Sequence, residues 1–317
     1  MTALNEMESL TRRRRLIDLF AMNTGSWLVI VAALLFACKG TLIKYIYSLG
    51  ASVADVMILR LLFSLPIYLW VALHSMRHSR PTLQPKHWLG IALCGVLGYY
   101  VSSYLDMLGL EHVSVGLERV ILYTYPAFVV LFSTLLLRKS ISRALCFYIA
   151  FIYCGLLLVF YADLHGKPST SIGDITKGSL FVLGAAMVFA TYVIGSEHYM
   201  RMISSSLFTA LMMIAAGVAM TLHYTLFESF AHLAQLPAHI YWWCAFTAAV
   251  FTVLPAFMMS AGVRKVGAAT AGALGMIGPI ATMGIAAAFL GESLSAMQVI
   301  GLAIVMTGVY RVHSRRL

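Results

Sequence analysis

Ten stretches of about twenty residues, each long enough to cross a bilayer, occupy most of this 317-residue chain. They read as residues 26–47, 53–73, 88–110, 114–137, 141–161, 178–198, 206–227, 240–262, 267–290 and 294–312. The connections between them are a few residues long, apart from 74–87, 162–177 and 228–239, which are polar or contain proline. Only 11% of the residues are charged, against about 25% in a soluble domain. The chain therefore has too little polar surface to coat a globule, and a lipid-embedded helical bundle resolves the shortage. Arg12-Arg13-Arg14-Arg15 precede a full-length span, which is not the pattern of a cleavable leader with a short apolar core.

Basic residues fix the expected orientation. The N-terminal arm and every second loop carry Arg12 to Arg15, Arg77, Arg80, Lys86, Arg138, Lys139, Arg143, Arg201, Arg264, Lys265, Arg311, Arg315 and Arg316. The opposite loops hold Lys167 and Lys177. Both termini are then cytoplasmic, and the net charge of +10 is a topology signal with no nucleic-acid partner implied. Cys38, Cys94, Cys146, Cys154 and Cys244 all lie in apolar runs without CxxC spacing, so they read as small buried hydrophobes. No HExxH pattern, Walker A loop or G-x-S-x-G context occurs. The reading expects no metal, no cofactor, no enzyme activity and no ATP-driven step.

A fixed offset of 153 residues places Gly25-Ser26 on Gly178-Ser179, Gly109 on Gly262, Pro126 on Pro279 and Gly155 on Gly308. Ser140 and Ser142 fall on Ser293 and Ser295 without a gap. Each half then contains five spans, and an odd number forces the second copy to insert upside down. The expected architecture is all-α, with two inverted five-helix repeats, 26–161 and 178–312, joined by a periplasmic loop, 162–177. A basic arm, 1–25, and a short tail, 313–317, flank them. Such repeats are a transporter design, with the substrate site near the midplane where the halves meet.

The chain resembles the drug/metabolite transporter superfamily, in its EamA-type ten-helix branch, over roughly residues 26–312. The resemblance is carried by Lys39-Gly40-x-x-x-Lys44, Arg60, Tyr125-Pro126, Gly278-Pro279, Gly291-Glu292-Ser-Leu-Ser, Gln298-x-x-Gly301 and Gly308-Val309. Two segments depart from it. Arg138-Lys139 stands where a Gly-Glu pair is usual, and Gly116-Leu-Glu-Arg119 replaces small apolar residues. The resemblance implies export or exchange of small metabolites, amino acids or drugs across a bacterial inner membrane, without selecting among them.

Ionisable residues within spans face the bundle interior, because exposure to hydrocarbon costs at least about 2.5–3.5 kcal/mol at a helix centre. Lys39 and Arg60 lie about 11–12 Å below the outer end of their spans, and Asp106, Glu118 and Arg119 about 6–8 Å. All five fall in the outer half of the membrane. One reading is structural pairing, for example Lys39 with Glu118 and Arg60 with Asp106. The other leaves one cation for a substrate carboxylate or phosphate, while an acid meets an amine. Helical spacing adds Tyr123 and Pro126 to the face of Arg119, and Tyr99 and Ser103 to that of Asp106. Pro126 and Pro279 remove mid-span hydrogen bonds and are candidate hinges or static kinks. Lys44 and Asp55, near the outer boundary, read as gate or surface residues.

By the offset, Lys39 maps to Tyr192, Arg60 to Met213, Asp106 to Met259, Glu118 to Ala271 and Arg119 to Gly272. The expected interior is thus lopsided, polar toward the outside and apolar with small walls toward the cytoplasm. The leading functional expectation is a secondary carrier, exporting a small charged or zwitterionic metabolite by alternating access. Glu118 or Asp106 would carry any coupling proton, and the protein would be a monomer or homodimer. Efflux of lipophilic cations is a second reading; a membrane enzyme or scaffold is a third.

Overall fold

Five helix starts are written in side chains that accept from the first turn. Ser114, Ser171 and Ser204 accept hydrogen bonds from the amides of Leu117, Asp174 and Leu207 at 3.0, 3.0 and 3.3 Å. Ser52 with Asp55, and Ser295 with Gln298, exchange reciprocal side-chain to amide bonds at 3.0–3.2 Å. These caps satisfy amides that no carbonyl of the helix can reach.

The computed structural model describes residues 24–79, 83–136, 143–166, 171–266, 271, 274, 275, 277–291 and 295–314. The helices of the first half are α1 (Thr24–Ser48), α2 (Val53–Ser79), α3 (Pro85–Gly95), α4 (Ser102–His112), α5 (Val115–Leu122), α6 (Tyr125–Leu136) and α7 (Arg143–Gly166). Those of the second half are α8 (Ile172–Met200), α9 (Ser205–Phe227), α10 (Phe230–Gln235), α11 (Ala238–Ala248), α12 (Leu254–Val266), α13 (Ile277–Leu290) and α14 (Ala296–Ser314). π-helical segments, Val96–Val101 and Ala249–Val253, join α3 to α4 and α11 to α12. Eight helical stretches are long and apolar enough to cross a membrane, and Ile277–Leu290 and Ala296–Arg311 are shorter apolar helices. The basic arm, Arg80, Arg138 to Ser142, Lys167, Gly272, Glu292, Ser293, Arg315 and Arg316 lie outside the described residues.

The halves pack reciprocally. Helix α1 packs on α12 and α13, as α8 packs on α4 and on α5 and α6; α2 meets α9, and α7 meets α14. The offset glycines are the crossing points. A Cβ on Gly262 would lie 3.0 Å from the Gly25 carbonyl oxygen, and one on Gly178 would lie 3.0 Å from that of Gly109. Exchanging the halves turns one contact into the other. The π segments obey the same rule, since Val96 maps onto Ala249. The outward surface is apolar, with Trp242, Phe289, Leu180 and Phe147 all exposed.

Several expectations needed correction. Pro126 stands at the start of a new helix: Tyr123 and Thr124 form a turn, and the fourth stretch is broken into α5 and α6. Pro279 lies within the helical residues 277–290, and residues 274 and 275 before them are also helical. Pro66 stands inside the continuous helix α2. The connection 228–239 contains α10, bounded by Ser229 and Pro237. Beyond residue 73, α2 runs on to Ser79 through stacked Trp70, His74 and His78, with ring centroids 5.5 and 4.3 Å apart. Asp55 is no surface residue. It is 1% exposed, accepts a 2.6 Å bond from the Tyr224 hydroxyl and lies 3.7 Å from His232 of α10.

Because the glycine crossings leave no room for a side chain, Gly109→Leu and Gly262→Leu should each destabilise the detergent-solubilised protein by about 1–3 kcal/mol. Gly284→Leu, where an added Cβ meets nothing within 4 Å, should leave the thermal melt nearly unchanged.

Candidate functional site

Burial of a short, strongly capped helix positions the charged residues. Ser114 caps α5, and its own amide donates to Asp163 Oδ2 of α7 at 3.3 Å. Glu118 sits in the first turn of α5, where the helix dipole favours a carboxylate. Arg119 follows it, and both are buried. Opposite them, Gly40 of α1 gives the space: a Cβ there would lie 3.4 Å from Arg119 Nη2 and 3.7 Å from Glu118 Oε2. The nearby Lys44 is no snorkelling surface residue, since its Nζ donates to the Val113 carbonyl, between α4 and α5, at 2.6 Å.

The five ionisable residues singled out above, on four helices, come together in one cluster. The electrostatic environment of Lys39 comprises Arg60, Asp106, Arg119 and Glu118. That of Arg60 comprises Tyr47, Asp106, Cys244 and Tyr68. The close ion pair joins chain neighbours, Arg119 Nε to Glu118 Oε2 at 3.5 Å; Lys39 and Arg60 do not make the expected one-to-one pairs but act on the shared group. Arg60, Asp106, Glu118 and Arg119 are buried, while Lys39 is half-buried.

The hydrogen-bonding capacity here is largely unused. Among the described residues, buried side-chain atoms without a hydrogen-bond partner are Arg60 Nε, Asp106 Oδ1, both Glu118 oxygens, Arg119 Nε and Nη2, with the hydroxyls of Thr41, Tyr68 and Ser179. All but the last belong to the cluster or to residues adjoining it. A buried polar atom without a partner costs about 1–3 kcal/mol, so a concentration of them marks a place built to meet something else. The three carboxylate oxygens only accept and the guanidinium nitrogens only donate. The set complements a molecule carrying both an ammonium and a carboxylate.

Tyr99, Ser103 and Asp106 are not linked by a single unbroken α-helix. The π segment Val96–Val101 holds Tyr99 and shifts the helical register before α4. Ser102, not Ser103, is buried and donates to the Ala185 carbonyl of α8 at 3.0 Å. Tyr99 keeps its place by the cluster, with Arg60 and Tyr192 as neighbours. Tyr123 ends α5, and its hydroxyl donates to the Gly275 carbonyl at 3.2 Å. It therefore ties the first half to the second, beside Arg119. Thr41 and Tyr68 were not anticipated. Thr41 adjoins the Lys39-Gly40 pair, and Tyr68 follows Arg60 by about two helical turns; their unpartnered hydroxyls show only in the packed structure.

Comparison with known proteins agrees with this architecture. The EamA-like transporter family matches residues 23–161 and again 176–313. The chain belongs to that family. It is a multi-pass membrane transporter with a duplicated EamA domain, and not an enzyme. An uncharacterized transporter of Bacillus subtilis, YcbK, is 34% identical over 282 residues, covering 87% of this chain and 88% of that protein. An uncharacterized transporter of Archaeoglobus fulgidus is 25% identical over 289 residues, covering 91% and 96%. A crystal structure at 16% identity superposes with a TM-score of 0.60 over 94% of this chain and 99% of its own, a likeness of fold alone.

Removing one member of a buried ion pair strands the other, at about 3–5 kcal/mol. Glu118→Gln and Arg119→Gln should each lower the melting temperature by several degrees. The double substitution should cost clearly less than the sum, a coupling read from a double-mutant cycle.

Proposed function

We propose that this EamA-family protein is a secondary exporter of a small zwitterionic metabolite, an amino acid or close derivative, working by alternating access in a bacterial inner membrane. The observation that carries the reading is the buried cluster of three cations and two carboxylates whose hydrogen-bonding atoms are mostly unpartnered. A substrate carboxylate binds the Arg60, Lys39 and Arg119 side, and its ammonium meets Asp106 and Glu118. Tyr99 and Tyr123 flank these charges, and Ser103 lies at the margin. The net surplus of one positive charge also suits an anion.

The chain in this reading crosses the membrane ten times, with both ends cytoplasmic and repeats 26–161 and 178–312 inverted about an axis in the membrane plane. Supporting it are the reciprocal packing of the two halves and the alternation of basic and non-basic loops. One chain supplies both repeats, so a monomer suffices. The helix break before Pro126, the mid-span Pro279 and the two π segments provide places where the halves can bend against each other. A proton shared between Asp106 and Glu118 would couple flux to the proton gradient. Lipophilic-cation efflux is the second reading, favoured by the unpartnered Glu118 oxygens alone.

Ligand binding to the folded state raises apparent stability, by about 2.7 kcal/mol at a hundred times Kd. Thermal shift with a panel of amino acids, organic anions and lipophilic cations should therefore show stabilisation by zwitterions in the wild type and its loss in Arg60→Gln and Asp106→Asn. Stabilisation by lipophilic cations alone would replace this reading with the second.

A further inference from the structure

The cluster lies in the outer half of the bundle, and a transported solute must also pass the inner half. Tyr68 is about 12 Å nearer the basic end of α2 than Arg60, at 1.5 Å per residue. It is 1% exposed, its hydroxyl has no hydrogen-bond partner, and both Tyr99 and Arg60 are its electrostatic neighbours. Its ring packs on Phe257, centroid to centroid 5.9 Å. From there a chain of hydroxyls continues. The rings of Tyr99 and Tyr192 stand edge to face at 5.9 Å, and each tyrosine lies in the electrostatic surroundings of the other. Ser196 neighbours the Tyr192 hydroxyl in turn. Ser196 gives its own proton to the Val193 carbonyl at 2.9 Å. Ser196 lies one turn before Met200, where α8 ends at Arg201. Phe189 and Tyr125 extend the aromatic wall, at 5.2 Å from Tyr192 and 4.9 Å from one another.

We infer that the hydroxyls of Tyr68, Tyr99, Tyr192 and Ser196 form an uncharged inner station, through which the solute passes between the charged cluster and the basic face of the bundle. The inference rests on the proposed transport of a zwitterion. The inner half is thus not merely apolar and small-walled: Tyr192 stands at the position equivalent to Lys39, exchanging a charge for a hydroxyl on an aromatic ring. Such a station suits a solute bearing an ammonium and hydrogen-bonding groups. Ring faces attract the cation and hydroxyls both donate and accept, yet no opposite charge holds the solute in place. Strong binding at one end and weak, adaptable contacts at the other allow release.

Two measurements test the station separately from the zwitterion. With the five native cysteines replaced, Tyr192→Cys and Ser196→Cys should react with a membrane-impermeant methanethiosulfonate reagent applied at the face bearing the termini. The lipid-facing Leu180→Cys should react at least about tenfold more slowly, because a thiolate does not form in hydrocarbon. This arm needs no substrate, so it stands whatever the thermal-shift panel finds. In the native-cysteine background, Tyr68→Phe and Tyr192→Phe should reduce counterflow of a bound amino acid by about tenfold. The thermal shift produced by that amino acid should change less than twofold. Slow labelling of both cysteines, or wild-type flux in both phenylalanine variants, would overturn the inference.

Discussion

Taking a guanidinium or a carboxylate out of water costs several kcal/mol even after relaxation, and this chain does so repeatedly within helices whose outer faces are apolar. Those side chains have one place to go. Lys39, Arg60, Asp106, Glu118 and Arg119 must turn inward, and because they sit on separate helices they converge. The rest of the first half is arranged around that requirement. Gly40 withdraws its side chain, Ser114 caps the short α5, and the break at Tyr123 and Thr124 ends α5 where Tyr123 can reach the second half.

Against this asymmetric cluster stands a nearly symmetric scaffold. Gly25 with Gly262 and Gly109 with Gly178 are the same contact made twice, and the π segments recur at matching positions. In the proposed alternating access, the duplicated backbone supplies two related arrangements. The unequal side chains make the two arrangements chemically different. In the proposed cycle, a charged site in one half and hydroxyl-bearing rings at the equivalent level of the other give the path a direction.

Much of this was legible in the sequence, for reasons that are physical. Apolar length reports spans directly, and glycines matched by the offset report backbone contacts that exclude a Cβ. Charges in apolar runs report the interior because lipid tolerates them poorly. What escaped depends on partners remote in the chain. Asp55 read as a boundary residue, since nothing local signals Tyr224, 169 positions away. The π segment that holds Tyr99 ahead of Ser103 and Asp106 carries no local sequence signal. Lys39 and Glu118 were matched one to one, whereas the structure lets several charges share a site. Tyr68 carried no signal, because a tyrosine with an unused hydroxyl is recognisable only after packing.

The account turns on the cluster being a transport site and not a structural brace. Counterflow in proteoliposomes loaded with unlabelled amino acid separates the two. Wild-type protein should accumulate the labelled amino acid, and Arg60→Lys, which keeps the charge but loses the planar fork of donors, should fold normally and lose most of the exchange. Full exchange by a properly folded Arg60→Lys protein, or by one with Arg60 and Asp106 both neutralised, would contradict the account.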